Sequence, residues 1–322
     1  MLDLAAQNLL SPIVLSFVLG LVAAGLRSDL SVPEAVAKGL SIYLLFAIGY
    51  KGGVEVAAAG LDWRLGMGLL AGVALSAILP LIAYALLRIM SRLSSIDAAA
   101  VAGHYGSISI VTFVAAGALL QSRGVTYEGW LVAVAATMEA PAILTALWLA
   151  QRTAGQSPGS GVPWREVILN GSIVLLIGAF LIGWATGPAG MAEVEGFLVA
   201  PFKGVLCLFL LDMGLVAGRN LARSRSALTS GAVLFGLLMP LVGAAAGLGT
   251  AWALGLSVGG MAILATLAAS ASYIAVPAAM RVALPEANPA IYLSLSLGVT
   301  FPFNLAVGIT LYLAAATWLS GV

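Results

Sequence analysis

Ten consecutive residues, Gly103-His104-Tyr105-Gly106-Ser107-Ile108-Ser109-Ile110-Val111-Thr112, constrain this chain more than any others. They hold two glycines, three Ser/Thr hydroxyls and the only histidine, and apolar sequence long enough to lie in a bilayer flanks them. Lipid cannot hydrogen-bond an open backbone, so a polar break at membrane depth must face protein or a wet cavity. A second break comes late in the chain, at Ser270-Ala271-Ser272-Tyr273-Ile274-Ala275-Val276-Pro277. Two interrupted helices in matching positions of two halves point to the binding site of a transporter.

The composition agrees with a membrane location. Of 322 residues, 61% are hydrophobic and 8% charged, against about 25% charged in soluble domains. A net charge of +1 argues against a nucleic-acid partner, which would need a basic patch. The single cysteine, Cys207, excludes an internal disulfide and a Cys-based metal cluster. Met1 to Ser11 carries Asp3 but no Lys or Arg, so insertion is expected through the first apolar span rather than a cleaved leader.

Spans of roughly 20 apolar residues cross a bilayer. Ten are expected, at about 10–27, 37–54, 65–91, 95–121, 127–151, 167–187, 196–217, 228–255, 258–282 and 290–319. Spans four and nine are the interrupted ones. Residues 152–166 form a linker between a first five-helix repeat (1–151) and a second (167–322). With the N-terminus outside, the inner connections hold Arg27, Lys38, Arg88, Arg92, Arg152, Arg165, Arg219, Arg223, Arg225 and Arg281. The outer ones hold only Arg64 and Arg123. The excess of positive charge inside places both termini extracytoplasmic and the linker in the cytoplasm. An odd span count per half inverts the second half, and Gly49/Gly53 ending span two echo Gly214/Gly218 ending span seven. The expected fold is all-α: ten helices as a 5+5 inverted repeat with two crossing interrupted helices.

No nucleophile–base pair, HExxH or Walker-type loop is present, so enzyme readings lack support. What stands out is a short set of polar residues inside apolar spans, where a charge costs about 2.5–3.5 kcal/mol on insertion scales. Glu139 precedes Pro141 in span five and could hold a hard cation together with freed carbonyls, or hydrogen-bond a neighbouring helix. Asp212 in span seven has Lys51 and Lys203 as candidate partners, for coupling or as a structural lock. Ser107, Ser109 and Thr112 beside Gly106 would line a half-helix N-terminus, which favours an anion; their alternative is local bonding to the preceding turn. Ser270, Ser272 and Tyr273 play the matching part in span nine. Thr300 and Asn304 in span ten are further polar candidates, Asn304 equally as an interhelical bond. His104 reads as a packing residue.

Certain motifs carry a resemblance: Ile96-Asp97-Ala98 through Gly106, Tyr127-Glu128-Gly129-Trp130, Met138-Glu139-Ala140-Pro141, Met213-Gly214, Ala268-Ala269-Ser270 through Pro277, and Pro285-Glu286-Ala287-Asn288-Pro289 with Tyr292. At these the chain resembles the sodium-dependent bicarbonate transporters of the cyanobacterial SbtA type. The resemblance implies a core domain (spans three to five and eight to ten) moving against a gate domain (spans one, two, six and seven). It also implies a homotrimer and an anion held at Gly106, Ser109, Thr112, Ser270 and Ser272. The chain departs from the type at Tyr273 (aspartate there), Ala275 (serine), Val276 (glycine), Phe301 (threonine) and Ser107 (alanine). Its linker is short, so the PII-like regulator of the type is not expected here.

The expected function is sodium-coupled symport of bicarbonate or a small carboxylate across a bacterial-type inner membrane. Sodium is the coupling ion and there is no other cofactor. Glu139, Ser109, Asn304 and Thr300 are candidates for the cation; Gly106, Ser107, Ser109, Thr112, Ser270, Ser272 and Tyr273 for the anion. Two alternatives stay open on the residues alone: proton coupling through Glu139, and a sensor or scaffold of the same fold without flux.

Overall fold

A computed structural model describes residues 10–60, 63–153, 171–224, 228–273, 276–277, 279–280 and 284–321. The linker expected at 152–166 lies almost wholly outside the described residues, as do Arg165, Arg225, Ala275 and Arg281. The described residues are helical, without strands. The helices are α1 (Pro12–Gly25), α2 (Glu34–Ala59), α3 (Trp63–Met90), α4 (Ser95–Gly106), α5 (Ile110–Ser122), α6 (Leu131–Thr137) and α7 (Ala140–Thr153). They continue with α8 (Gly171–Leu198), α9 (Phe202–Ser224), α10 (Ser230–Ala253), α11 (Val258–Ala269) and the last, α12 (Pro289–Leu319). Among the described residues, eight segments are long and apolar enough to cross a membrane, with α4–α5 and α6–α7 each taken as one; α1 and α11 are apolar but shorter. This is a multi-pass membrane protein.

Helix starts arise from capping chemistry. Ser11, Ser94, Ser109, Thr229, Ser257 and Asn288 each accept a backbone N–H of the helix they precede, satisfying donors that lipid would leave bare. Stops arise from local backbone needs. At Gly187 the chain takes φ 59° inside α8, a conformation open to glycine at little cost. Pro188 then starts the next turn. This corrects the expected sixth and seventh spans: helix runs past the bend to Leu198, and α9 starts at Phe202 rather than near 196.

Two further differences concern spans five and ten. Span five is broken between α6 and α7, with Met138 and Glu139 in a turn. The turn is held from α3: Ser76 Oγ donates to Met138 O at 2.5 Å and accepts from Ala142 N at 3.1 Å. Span ten is continuous but carries π-helical turns at Ser294–Thr300 and Asn304–Gly308, around Phe301-Pro302-Phe303. A proline inside a helix removes a ladder hydrogen bond, and wide turns of this kind collect at functional sites.

Packing comes in matched pairs: α1 lies on α9, α2 on α8, α4 against α3 and α7, and α11 against α10 and α12. Glycines set the close approaches. A Cβ on Gly53 would run into Phe180 O of α8, and one on Gly214 into Phe17 O of α1. Dispersion between closely fitted backbones is what holds helices together where lipid removes the hydrophobic drive.

Because overpacking a close contact costs about 1–3 kcal/mol, Gly53→Val should lower the melting temperature of the purified protein by roughly 5 °C or more. Gly66→Ala, where an added Cβ meets nothing within 4 Å, should leave it unchanged; thermal unfolding in detergent checks both.

Candidate functional site

The two breaks meet. α4 ends at Gly106 and α5 begins at Ile110, with Ser107 extended at φ −88°, ψ 166°. α11 ends at Ala269, with Ser270 extended at φ −83°, ψ 162°. Both first half-helices are 12 residues long, begin after a serine cap (Ser94, Ser257) and end on one (Ser107, Ser270). Across the junction, Ser109 N donates to Ser270 Oγ at 2.8 Å and Ser272 N donates to His104 O at 2.8 Å. Ser270 Oγ donates in turn to Leu267 O at 2.8 Å. The second serine of each Ser-x-Ser caps the backbone after it: Ser109 Oγ accepts from Thr112 N at 3.2 Å and Ser272 Oγ from Val276 N at 3.4 Å.

Gly106 lets the first break close on α3, since a Cβ there would overlap the Pro80 ring. Thr112 lies on the first turn of α5, 1% exposed, its N–H taken by the cap and its hydroxyl in no described hydrogen bond. The polar groups still open are few. Ser107 Oγ and the Tyr273 hydroxyl are buried without a hydrogen-bond partner among the described residues. The N–H groups of Ile110 and Val111, in the first turn of α5, have no partner among the described residues. All four can donate, and none brings negative charge. Helix N-termini with free amides attract anions. The Tyr273 ring packs edge-on against Phe301 at 5.3 Å, and Phe301 against Phe17 of α1 at 5.1 Å, so an aromatic row closes this side.

Thr300 and Asn304 sit beside the junction with their hydrogen bonds committed. Thr300 Oγ1 donates to Gly236 O at 2.6 Å and meets the Tyr105 hydroxyl at 2.6 Å. Asn304 Nδ2 donates to Ala269 O at 2.9 Å, and its Oδ1 accepts from Tyr312 at 2.7 Å. Asn304 therefore satisfies a carbonyl at the broken end of α11, where the helix supplies no donor. His104 packs with its ring stacked on Tyr292 at 4.5 Å and its Nδ1 on Ala100 O at 2.7 Å, while its buried Nε2 has no partner among the described residues.

Glu139 stands in the α6–α7 turn, 4% exposed, with Oε2 lacking a partner among the described residues. No hydrogen bond joins it to Ser109, Thr300 or Asn304. The suggested Lys51–Asp212 pair does not form: Lys51 Nζ lies 3.9 Å from Glu55, one turn along α2. That partner is nearer in sequence and needs no second helix to present it. Asp212 is buried on α9.

Three contributors were not foreseen. Ser76 holds the α6–α7 turn. Glu128 and Asp97 tie helix starts together. Glu128 accepts from Ser257 N at 2.8 Å and Ser257 Oγ at 3.0 Å, while Asp97 accepts from Asn288 N at 2.8 Å. Asp97 and Glu128 sit in motifs that carry the resemblance to the SbtA type, but their partners lie in the other half of the chain.

The arrangement of the breaks and the matched half-helices is accompanied by a whole-chain match: the family model of the Na+-dependent bicarbonate transporter superfamily covers residues 12–317. The chain belongs to that superfamily. No curated protein matches it significantly. A superfamily member is a transporter-family protein, and the match takes in both breaks, the α6–α7 turn and the π-helical span.

Ser270→Ala would strand the buried Ser109 N–H, a loss of about 1–3 kcal/mol, and should lower the melting temperature measurably. Ser107→Ala removes no hydrogen bond and should leave it within error of wild type in the same melt.

Proposed function

We propose that the protein is a secondary active transporter that carries bicarbonate or another small anion by alternating access, coupled to sodium. The observation that supports this most directly is the meeting of two Ser-x-Ser breaks that leave Ser107 Oγ, the Tyr273 hydroxyl and two α5 amides open to donate. An oxyanion seated there would take hydrogen bonds from Ser107 Oγ, the Tyr273 hydroxyl and the α5 amides. Neutral donors suit a substrate that must also leave, since a buried cation would hold it too strongly. Ser109, Ser270 and Ser272 fix the geometry of the seat rather than facing the substrate.

The matched pairs α1–α9 and α2–α8, and the equal half-helices α4 and α11, favour a 5+5 inverted repeat of ten spans. In it the core domain is spans three to five and eight to ten, and the gate domain is spans one, two, six and seven. The lysine and arginine distribution puts both termini outside an inner membrane. The homotrimer rests on the resemblance to the SbtA type.

Sodium is best served by Glu139, whose Oε2 is the open buried carboxylate oxygen, together with carbonyls of the α6–α7 turn. Thr300 and Asn304 act as ties in the frame. The same open oxygen favours a second reading, in which Glu139 carries a proton instead.

In proteoliposomes, labelled bicarbonate uptake should rise with an inward sodium gradient. Tyr273→Phe and Ser107→Ala should each raise KM about tenfold, the equivalent of one hydrogen bond to a charged group, without lowering the melting temperature. Glu139→Gln should abolish stimulation by sodium. Uptake that ignores sodium and tracks a pH gradient would replace the sodium reading with the proton one, and no uptake of any small anion would remove both.

A further inference from the structure

Beyond the junction, a cavity of about 270 Å³ opens between α2, α5 and the start of α9. Phe113 and Val114 line it from α5, one turn beyond the Ser109 cap. Its other walls carry Ala47, Ile48 and Val132, and three charged side chains, Lys51, Glu55 and Lys203, reach into its lining from α2 and α9. Lys203 forms no ion pair among the described residues, and the Lys51–Glu55 pair is loose, its side chains 50% and 39% exposed.

We propose that this cavity is the vestibule in which the anion is captured before it reaches the junction, with Lys51 and Lys203 as the capture residues. The inference rests on the transport reading and assigns these two lysines a part in it. Two cations against one carboxylate leave the cavity net positive. Apolar walls on both sides concentrate that field and raise the local concentration of an incoming anion. Lysine suits capture better than arginine: its ammonium is compact, strongly hydrated and flexible, and it offers no planar fork to hold an oxyanion. Glu55 tethers Lys51 from one turn away, which weakens any grip on the anion. Gly129 makes room for that carboxylate, since a Cβ there would overlap Glu55 Oε2.

The inner end is closed by aromatic packing. Phe113 is 2% exposed and meets the Tyr127 ring edge-on at 6.3 Å. Burial, and then the Glu55 carboxylate, push the Tyr127 phenol up to about 12. It therefore stays neutral and adds no negative charge to the cavity. One turn of α5 separates Phe113 from the Ser109 cap.

The test separates capture from transport. In a Cys207→Ala background, Lys51→Cys is labelled with an anionic and with a cationic methanethiosulfonate reagent, with Lys203 present or changed to Gln. At low ionic strength the anionic-to-cationic rate ratio should fall about three- to tenfold when Lys203 is removed. That difference should shrink near 1 M salt, where the Debye length is about 3 Å. In uptake assays of the Cys207→Ala protein, Lys203→Gln should raise KM several-fold and leave the maximal rate unchanged. A rate ratio indifferent to Lys203, the outcome if the lysines merely reach lipid headgroups, overturns the vestibule even where bicarbonate is transported. A ratio that falls in a protein with no uptake of any small anion overturns the transport reading and leaves the cavity as an anion-capturing site.

Discussion

A helix broken inside a membrane has open amides at one end and open carbonyls at the other, and no water to receive them. The rest of this structure depends on how those groups are met. Each break borrows from the other: Ser270 takes the amide of Ser109, and the carbonyl of His104 takes the amide of Ser272. Asn304 takes the carbonyl of Ala269 from a third helix. These bonds are long-range in sequence, so neither break can form alone. Among the groups they leave open are the two hydroxyls and two amides that the substrate is proposed to use.

The scaffold around the junction meets the same demand with different chemistry. Glycines bring α2 onto α8 and α9 onto α1 with no side chain between, which suits an environment where burial of apolar surface drives little. Ser76 supplies both partners needed at the α6–α7 turn. Asp97 and Glu128 sit at helix starts, where the positive end of the helix favours them. Glu139 differs: its Oε2 is buried and has no partner among the described residues. A group so exposed to desolvation is a natural place for a cation or a proton.

At the cavity between α2 and α9, charge adds little to stability. Half-exposed pairs such as Lys51–Glu55 contribute between nothing and about 1 kcal/mol, too little to explain two lysines at one apolar-walled cavity. Their position beside α5 gives them a simpler use, in drawing an anion toward donors that carry no net charge.

Much was legible in the residues themselves. Long apolar runs require a membrane, and Gly and Ser clusters inside them require breaks; both act locally along the chain. The glycine pairs 49/53 and 214/218 were visible as an echo, but not what they touch. The α6–α7 turn was missed because its hydrogen bonds come from Ser76, far away in sequence. The bend at Gly187 was read as an end because Gly-Pro signals a stop and a kink alike. The Lys51–Asp212 pairing failed because a list of charges does not say which helices face each other. Residue chemistry alone thus determined that this chain is a helical membrane protein broken at two polar sites. Only tertiary structure decided that the breaks meet and which hydroxyls stay free, because a hydrogen bond depends on distance in space rather than distance along the chain.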